Sequence, residues 1–247
     1  MSSVTQELDP RIRIDGFATP TADDIVSLDR KLQRERGWYT GLPRFSTNQE
    51  IEEAILEGTL VEVTTTADLH PIQRFRDRRE VFIPAVSRNA LKMRSDFSKL
   101  WRYVLGQSGI FRSDIRLAET SFVRSEAYQA ELLDRGKLAS PDSTHCTGNA
   151  IDIDNSGYYR MTAEGFISVG DPRRQTQQKE TLQKFGEQMD GHEYSYDYDP
   201  RIMDAAYAAA DLLHREGVIN LVCEFSGTPN ATLHMAASPD YSSPDIV

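Results

Sequence analysis

The stretch Asp142-Ser143-Thr144-His145-Cys146-Thr147-Gly148-Asn149-Ala150-Ile151-Asp152-Ile153-Asp154 sets an imidazole and a carboxylate seven residues apart across a glycine. Gly148 permits a tight reversal or a close backbone approach. Beyond it Ile151 and Ile153 alternate with Ala150 and Asp152, the pattern of a half-buried strand. The isoleucines then face a core, and Asp152 lies on the opposite side, where His145 can reach back to it from the loop. Neutral imidazole and carboxylate are ordinary zinc ligands, and a catalytic zinc takes three protein ligands plus an open position for water. The third ligand has to come from elsewhere in the chain.

There are five histidines to choose from. His70 precedes Pro71 in a polar segment, His192 lies in a Tyr/Asp-rich stretch, and His214 falls late in an expected helix, so His192 and His214 read as solvated. His234 sits in the β-prone run Ala231-Thr232-Leu233-His234-Met235-Ala236. It follows Leu221-Val222-Cys223-Glu224-Phe225 and the turn-rich Ser226-Gly227-Thr228-Pro229-Asn230. Two such runs about a Gly/Pro/Asn cluster read as a hairpin, in which Glu224 and His234 fall roughly opposite one another. The third ligand and a free carboxylate then arrive together.

Ser143-x-His145-x-x-Gly148-x-Ala150-x-Asp152 with a late His234 resembles the zinc D-Ala-D-Ala carboxypeptidases and dipeptidases, which share a fold with the hedgehog signalling domain. Upstream, Thr120-Ser121-Phe122-Val123-Arg124-Ser125-x-x-Tyr128-Gln129-x-x-Leu132 is similar to the family's strand ending in an Arg-Ser pair before a helix with Gln and Leu. The likeness is best between Ile83 and Ala236, and residues 48–79 look similar to the N-terminal lead of one branch of these peptidases. The resemblance implies His145, Asp152 and His234 as zinc ligands, with Glu224 as general base. It implies Arg124 as the anchor for a substrate carboxylate or carbonyl oxygen, and Ser143 and Gln129 as further substrate contacts. The implied activity is hydrolysis of short, cell-wall-type peptides containing a D-amino acid. The alternative is a peptidase-like binding module that keeps zinc without turnover. One departure stands out: the family keeps its Glu a few residues before the last histidine, whereas Glu224 precedes His234 by ten. Thr232 and Leu233 occupy the places where that family often has Trp or another His.

Each residue also has a plainer reading. A histidine beside a glycine turn is usually structural. Glu224 reads almost equally as a strand Glu at a hairpin rim, and Arg124 as a partner of Glu119 or Glu126. Asp154, before Asn155-Ser156-Gly157, has the look of turn chemistry. Cys146 and Cys223 could bridge, although free cysteines are among the most buried residues and two thiols are the ordinary outcome. A metal-free interaction domain is the third functional class.

The supporting elements are less sharply written. Helices are expected over 22–35 after Thr21, from Ser46-Thr47-Asn48 to Gly58, over 125–133, and over 202–216. The spacing of Val86, Ala90, Met93, Phe97, Trp101 and Val104 predicts the main core helix, stopped by Gly106. Strands are expected at 60–63, 81–83 and 115–123, and 171–200 as a polar surface insertion. Helices and strands that do not alternate as βαβ units argue for an α+β fold, an antiparallel sheet with helices packed on one side. The chain divides into an N-terminal extension over 1–80 and a zinc peptidase-like domain over 81–240. With 39% apolar and 27% charged residues among 247, it has a globular composition. A net charge of −10 without a basic cluster argues against nucleic acid and anionic membranes as partners. The apolar runs are too short for membrane insertion, and the first twenty residues lack the features of a signal peptide. A cytoplasmic location is therefore expected, with a short peptide as the substrate.

Overall fold

The computed structural model describes residues 22–71, 83–134, 142–170, 198–224 and 231–245, with side chains from residue 30 onward. The core is organised by two helices. The first, Arg88–Gln107, starts where the Ser87 hydroxyl accepts the Ala90 N–H, and it buries Ala90, Met93, Phe97, Leu100, Trp101, Val104 and Leu105 along one stripe. The second, Pro200–Arg215, has Asp199 as its N-cap and Pro200 in its first turn, where a missing N–H costs nothing. Its alanines (Ala205, Ala206, Ala208, Ala209, Ala210) are fully buried, so its backbone lies close to its neighbours. The Trp101 indole N–H donates to the Ile202 carbonyl at 3.2 Å and ties the two helices together. Burying side chains such as Phe97 contributes roughly 1.5–3 kcal/mol each.

In chain order the elements are α1 (Ala22–Tyr39), α2 (Asn48–Leu56), β1 (Leu60–Glu62), β2 (Leu69–Pro71), β3 (Ala85–Ser87), α3 (Arg88–Gln107), β4 (Ile115–Ser121), α4 (Glu126–Asp134), β5 (Ala150–Asp154), β6 (Gly157–Thr162), β7 (Gly165–Gly170), α5 (Pro200–Arg215), β8 (Ile219–Glu224) and β9 (Thr232–Ala237). The main sheet runs β7-β6-β4-β5-β9-β8, with β2 parallel to β4 and every other pairing antiparallel. Both β5 and β6 run antiparallel to β4, so residues 155–156 form a kink in one direction of travel and not a reversal. The Asp154 carboxylate caps that kink, accepting the Ser156 N–H at 2.7 Å and its hydroxyl at 2.6 Å.

The fold is α+β, but its helices are not confined to one side. Helices α3 and α5 pack on the face carrying Ile151, Ile153, Leu221, Leu233 and Met235, while α1 lies on the other face, where Tyr39 meets Ala150 and Ala236. Helix α1 also runs to Tyr39, past the expected end at Glu35, because packing of Trp38 and Tyr39 outweighs the helix-breaking tendency of Gly37. Val86 belongs to β3 and not to the core helix, which starts two residues later. Strands β2, β3, β6 and β7 are additions to the expected set, and Ile83 of the expected strand 81–83 lies outside any strand. The expected cap Thr21, the strand residues 81–82, the turn 226–230 and most of the insertion 171–200 lie outside the described residues. Among the described residues, no helix is long and apolar enough to cross a membrane.

A buried ion pair joins α3 to β4. Glu119 is fully buried and takes the Arg94 fork, Nε at 2.6 Å and Nη2 at 2.8 Å, while Nη2 also donates to the Thr64 carbonyl at 2.9 Å. This pair excludes Glu119 as a partner for Arg124. Removing one member strands the other charge in the core. Arg94→Met is therefore expected to cost about 3–5 kcal/mol in urea denaturation, and adding Glu119→Leu to it should recover most of that loss.

Candidate metal centre

The sheet face turned away from α3 and α5 collects polar groups that strand register places side by side. Asp152 is paired with His234 on one neighbouring strand and Ser121 on the other, and directly opposed residues in antiparallel strands share a face. His145 arrives from a single 3-10 turn, Thr144–Thr147, just before β5. Gly148 ends that turn with φ at 72°, and a Cβ there would stand 2.7 Å from Leu60 Cδ2, so both its backbone freedom and its lack of a side chain are used. The Ser87 N–H donates to the Gly148 carbonyl at 2.8 Å and the Arg124 N–H to the His145 carbonyl at 3.2 Å, which pins the turn to β3 and to the chain after β4.

The outer hydrogen bonds of the two histidines determine their tautomers. His145 Nδ1 lies 2.8 Å from the Phe122 carbonyl oxygen, which only accepts, so Nδ1 carries a hydrogen and Nε2 is the nitrogen turned toward Asp152. That Nε2 is 3.1 Å from Asp152 Oδ2. His234 Nε2–H donates to Glu35 Oε1 at 2.9 Å, and Nδ1 faces Asp152 Oδ1 at 2.9 Å. Three potential ligands thus converge, with ligand atoms of His145, Asp152 and His234 all within 4.8 Å of one another. The buried carboxylate among them requires positive charge beside it.

In the protein alone that charge is a proton. Burial opposes it, but the Glu35 and Asp152 carboxylates hold the His234 imidazolium well above its ordinary pKa. Burial lowers His145, against the pull of Asp152. Asp152 is held well below the usual carboxylate range: burial raises it, but His145 and His234 prevail. Glu35 behaves likewise, brought down to about 2 against burial by the charge and hydrogen bond of His234 and by hydrogen bonds from Thr144 and Asn220.

A metal ion can take the proton's place. Tetrahedral bonds of about 2.0–2.1 Å to nitrogen and oxygen put neighbouring ligand atoms roughly 3.3 Å apart, so ligand atoms that lie within 4.8 Å of one another draw together to hold an ion. Each histidine already has an outer partner of the kind that fixes ligand tautomers, a carbonyl for His145 and a carboxylate for His234.

Glu224 ends β8 opposite Thr232, while His234 stands opposite Val222. The two are therefore diagonal neighbours on one face and not direct partners, a shift of two residues from the expected register. Burial raises the half-buried Glu224 carboxyl above its ordinary range, countered by His234 and Arg124 and reinforced by Asp152 and Glu35, so it lies in the electrostatic field of the centre. Arg124 lies at the rim, Nη2 at 3.4 Å from Asp152 Oδ2, Nε at 2.9 Å from Ser121 Oγ and Nη1 at 3.4 Å from the buried Gln129 Oε1. Ser143 contributes its carbonyl, which accepts from Arg44 Nη1 at 3.2 Å, and its hydroxyl makes no capping bond. Cys146 and Cys223 are not joined by a disulfide. His214 is part-buried, not solvated, with Nδ1 3.1 Å from the Ile219 carbonyl.

Glu35 is the functional residue that sequence reading did not single out. A glutamate near the end of an amphipathic helix carries no mark of burial. The one available signal was its i, i+4 relation to Tyr39 on the apolar face of α1. No protein-family model, no curated protein and no solved structure matches the chain.

One metal equivalent per chain is expected after dialysis against zinc, measured by elemental analysis. His145→Ala, checked for folding by circular dichroism, should retain less than about a tenth of it. Equal metal in the two proteins would remove this group as the site.

Proposed function

We propose that this chain is a zinc-dependent peptidase with a hedgehog/DD-peptidase-like fold, hydrolysing short cell-wall-type peptides that contain a D-amino acid. One observation carries the reading: one nitrogen of each of two imidazoles is turned toward a shared carboxylate, Asp152, with a further carboxylate, Glu224, beside them on the same sheet face. Two nitrogens and one oxygen are a common donor set for catalytic zinc. A zinc ion held there supplies Lewis acidity, bringing the pKa of water to about 7 and polarising a carbonyl.

The chain's own residues then divide the remaining work. Glu224 takes a proton from the attacking water and returns it to the leaving amine, and its raised pKa makes it a better acceptor than an exposed carboxylate. Arg124 presents a planar cation beside Asp152, positioned by Ser121 and Gln129, to a terminal carboxylate or the carbonyl oxygen of the scissile bond. Burial of Asp152, His145 and His234 keeps bulk water from competing at the ligand atoms. The diagonal placement of Glu224 on the ligands' face supports this reading over a zinc-retaining binding module, which needs the metal ligands but no base.

Two measurements on D-Ala-D-Ala-type peptides test the assignment. Glu224→Gln should keep its zinc and lose about 10²–10⁴-fold in kcat. Full activity in that variant would transfer the chain to the module reading. Arg124→Lys keeps the charge but loses the fork, so kcat/KM for peptides with a free carboxylate should fall by at least about tenfold. An unchanged value would take Arg124 out of the substrate site.

A further inference from the structure

We infer that helix α1 is an integral part of the metal centre, with Glu35 as the positioning residue that sets His234 Nδ1 inward, so that metal binding and docking of residues 30–39 form one coupled equilibrium. The inference rests on the metal reading above and adds a control over it from the N-terminal end of the chain. Glu35 is 3% exposed, and among the described residues its carboxylate accepts from the Thr144 hydroxyl, from Asn220 Nδ2 at 2.7 Å and from His234 Nε2 at 2.9 Å. Asn220 is itself fully buried, and its Nδ2 also donates to the Lys31 carbonyl at 3.0 Å, while its Oδ1 has no hydrogen-bond partner among the described residues. An orphaned buried acceptor is unfavourable, a cost that accompanies holding α1 and Glu35 in place.

The spacing within α1 makes the coupling mechanical. Positions 31, 35 and 39 lie on one helix face. From that face the Lys31 carbonyl meets Asn220, Glu35 meets His234, and the Tyr39 hydroxyl donates to the Ala237 carbonyl. Tyr39 packs on Ala150 and Ala236, each two residues from a candidate ligand and on its face of the sheet, so small side chains there admit the helix. A metal at Nδ1 requires that His234 keep its hydrogen on Nε2, where the Glu35 carboxylate accepts it. Coupling is reciprocal: a metal that prefers the Glu35-held ring stabilises the docked helix by the same free energy.

The test uses the full chain and zinc itself. In competition with a chromophoric chelator, Glu35→Gln should bind zinc about 10–100-fold more weakly than the wild type. In hydrogen-exchange mass spectrometry, zinc should slow exchange across residues 30–39 of the wild type and do so less in the variant. A purely structural Glu35 would lower the Tm of the zinc-free variant and leave its zinc affinity within about threefold of wild type, which would overturn the inference. Should Glu35→Gln fail to fold, wild-type exchange alone decides, and zinc-independent exchange over 30–39 overturns it. Absence of zinc binding by the wild type would remove the metal reading together with this inference. Wild-type binding with an indifferent variant would remove only the inference.

Discussion

A carboxylate with almost no access to water governs this molecule. Asp152 sits in the middle of the sheet, and burial alone would force it to take up a proton. It remains charged because His145, His234 and Arg124 surround it, and each of those groups is delivered by a different piece of chain. The 3-10 turn, the β5–β9 register and the end of β4 are therefore all conditions for one ionised group. A fault in any of them leaves a buried charge uncompensated.

The same strands serve two masters through their alternation. Ile151 and Ile153 go into the core beneath α3 and α5, while Ala150 and Asp152 face α1. A slip of one residue would send the aspartate into hydrocarbon and an isoleucine among the histidines. Chemistry and packing thus enforce one register, and the kink at 155–156 allows the β5–β6 run to follow β4 past an irregularity in their pairing.

What the sequence disclosed follows from where information is local. The His145–Asp152 unit was legible because a glycine turn and a short alternating strand are written within a dozen residues, and the α3 stripe because helical periodicity repeats over five turns. The β8–β9 hairpin was legible as an element but not in register, since residues 226–230 do not state a loop geometry; Glu224 consequently stands opposite Thr232. Strand β2 escaped because three residues ending in proline carry no period, and its pairing with β4 is a tertiary fact. Glu35 escaped for the same reason: its role is assigned by Asn220, Thr144 and His234, all more than a hundred positions away.

That distance has a bearing on how the protein is made. The bond from His234 to Glu35 spans 199 positions and that from Asn220 to Glu35 spans 185. Closing so long a loop is entropically slow, and contacts of this kind form late in folding. During synthesis α1 is the first described element to emerge, yet it must wait for the last strand before its carboxylate finds a partner. Until then its packing face for Ala150 and Ala236 is uncovered, a surface for chaperones or for misassociation. Acquisition of the complete site is thus the closing event of the chain's biogenesis, and a nascent or clipped product that lacks β9 leaves its N-terminal helix without a seat.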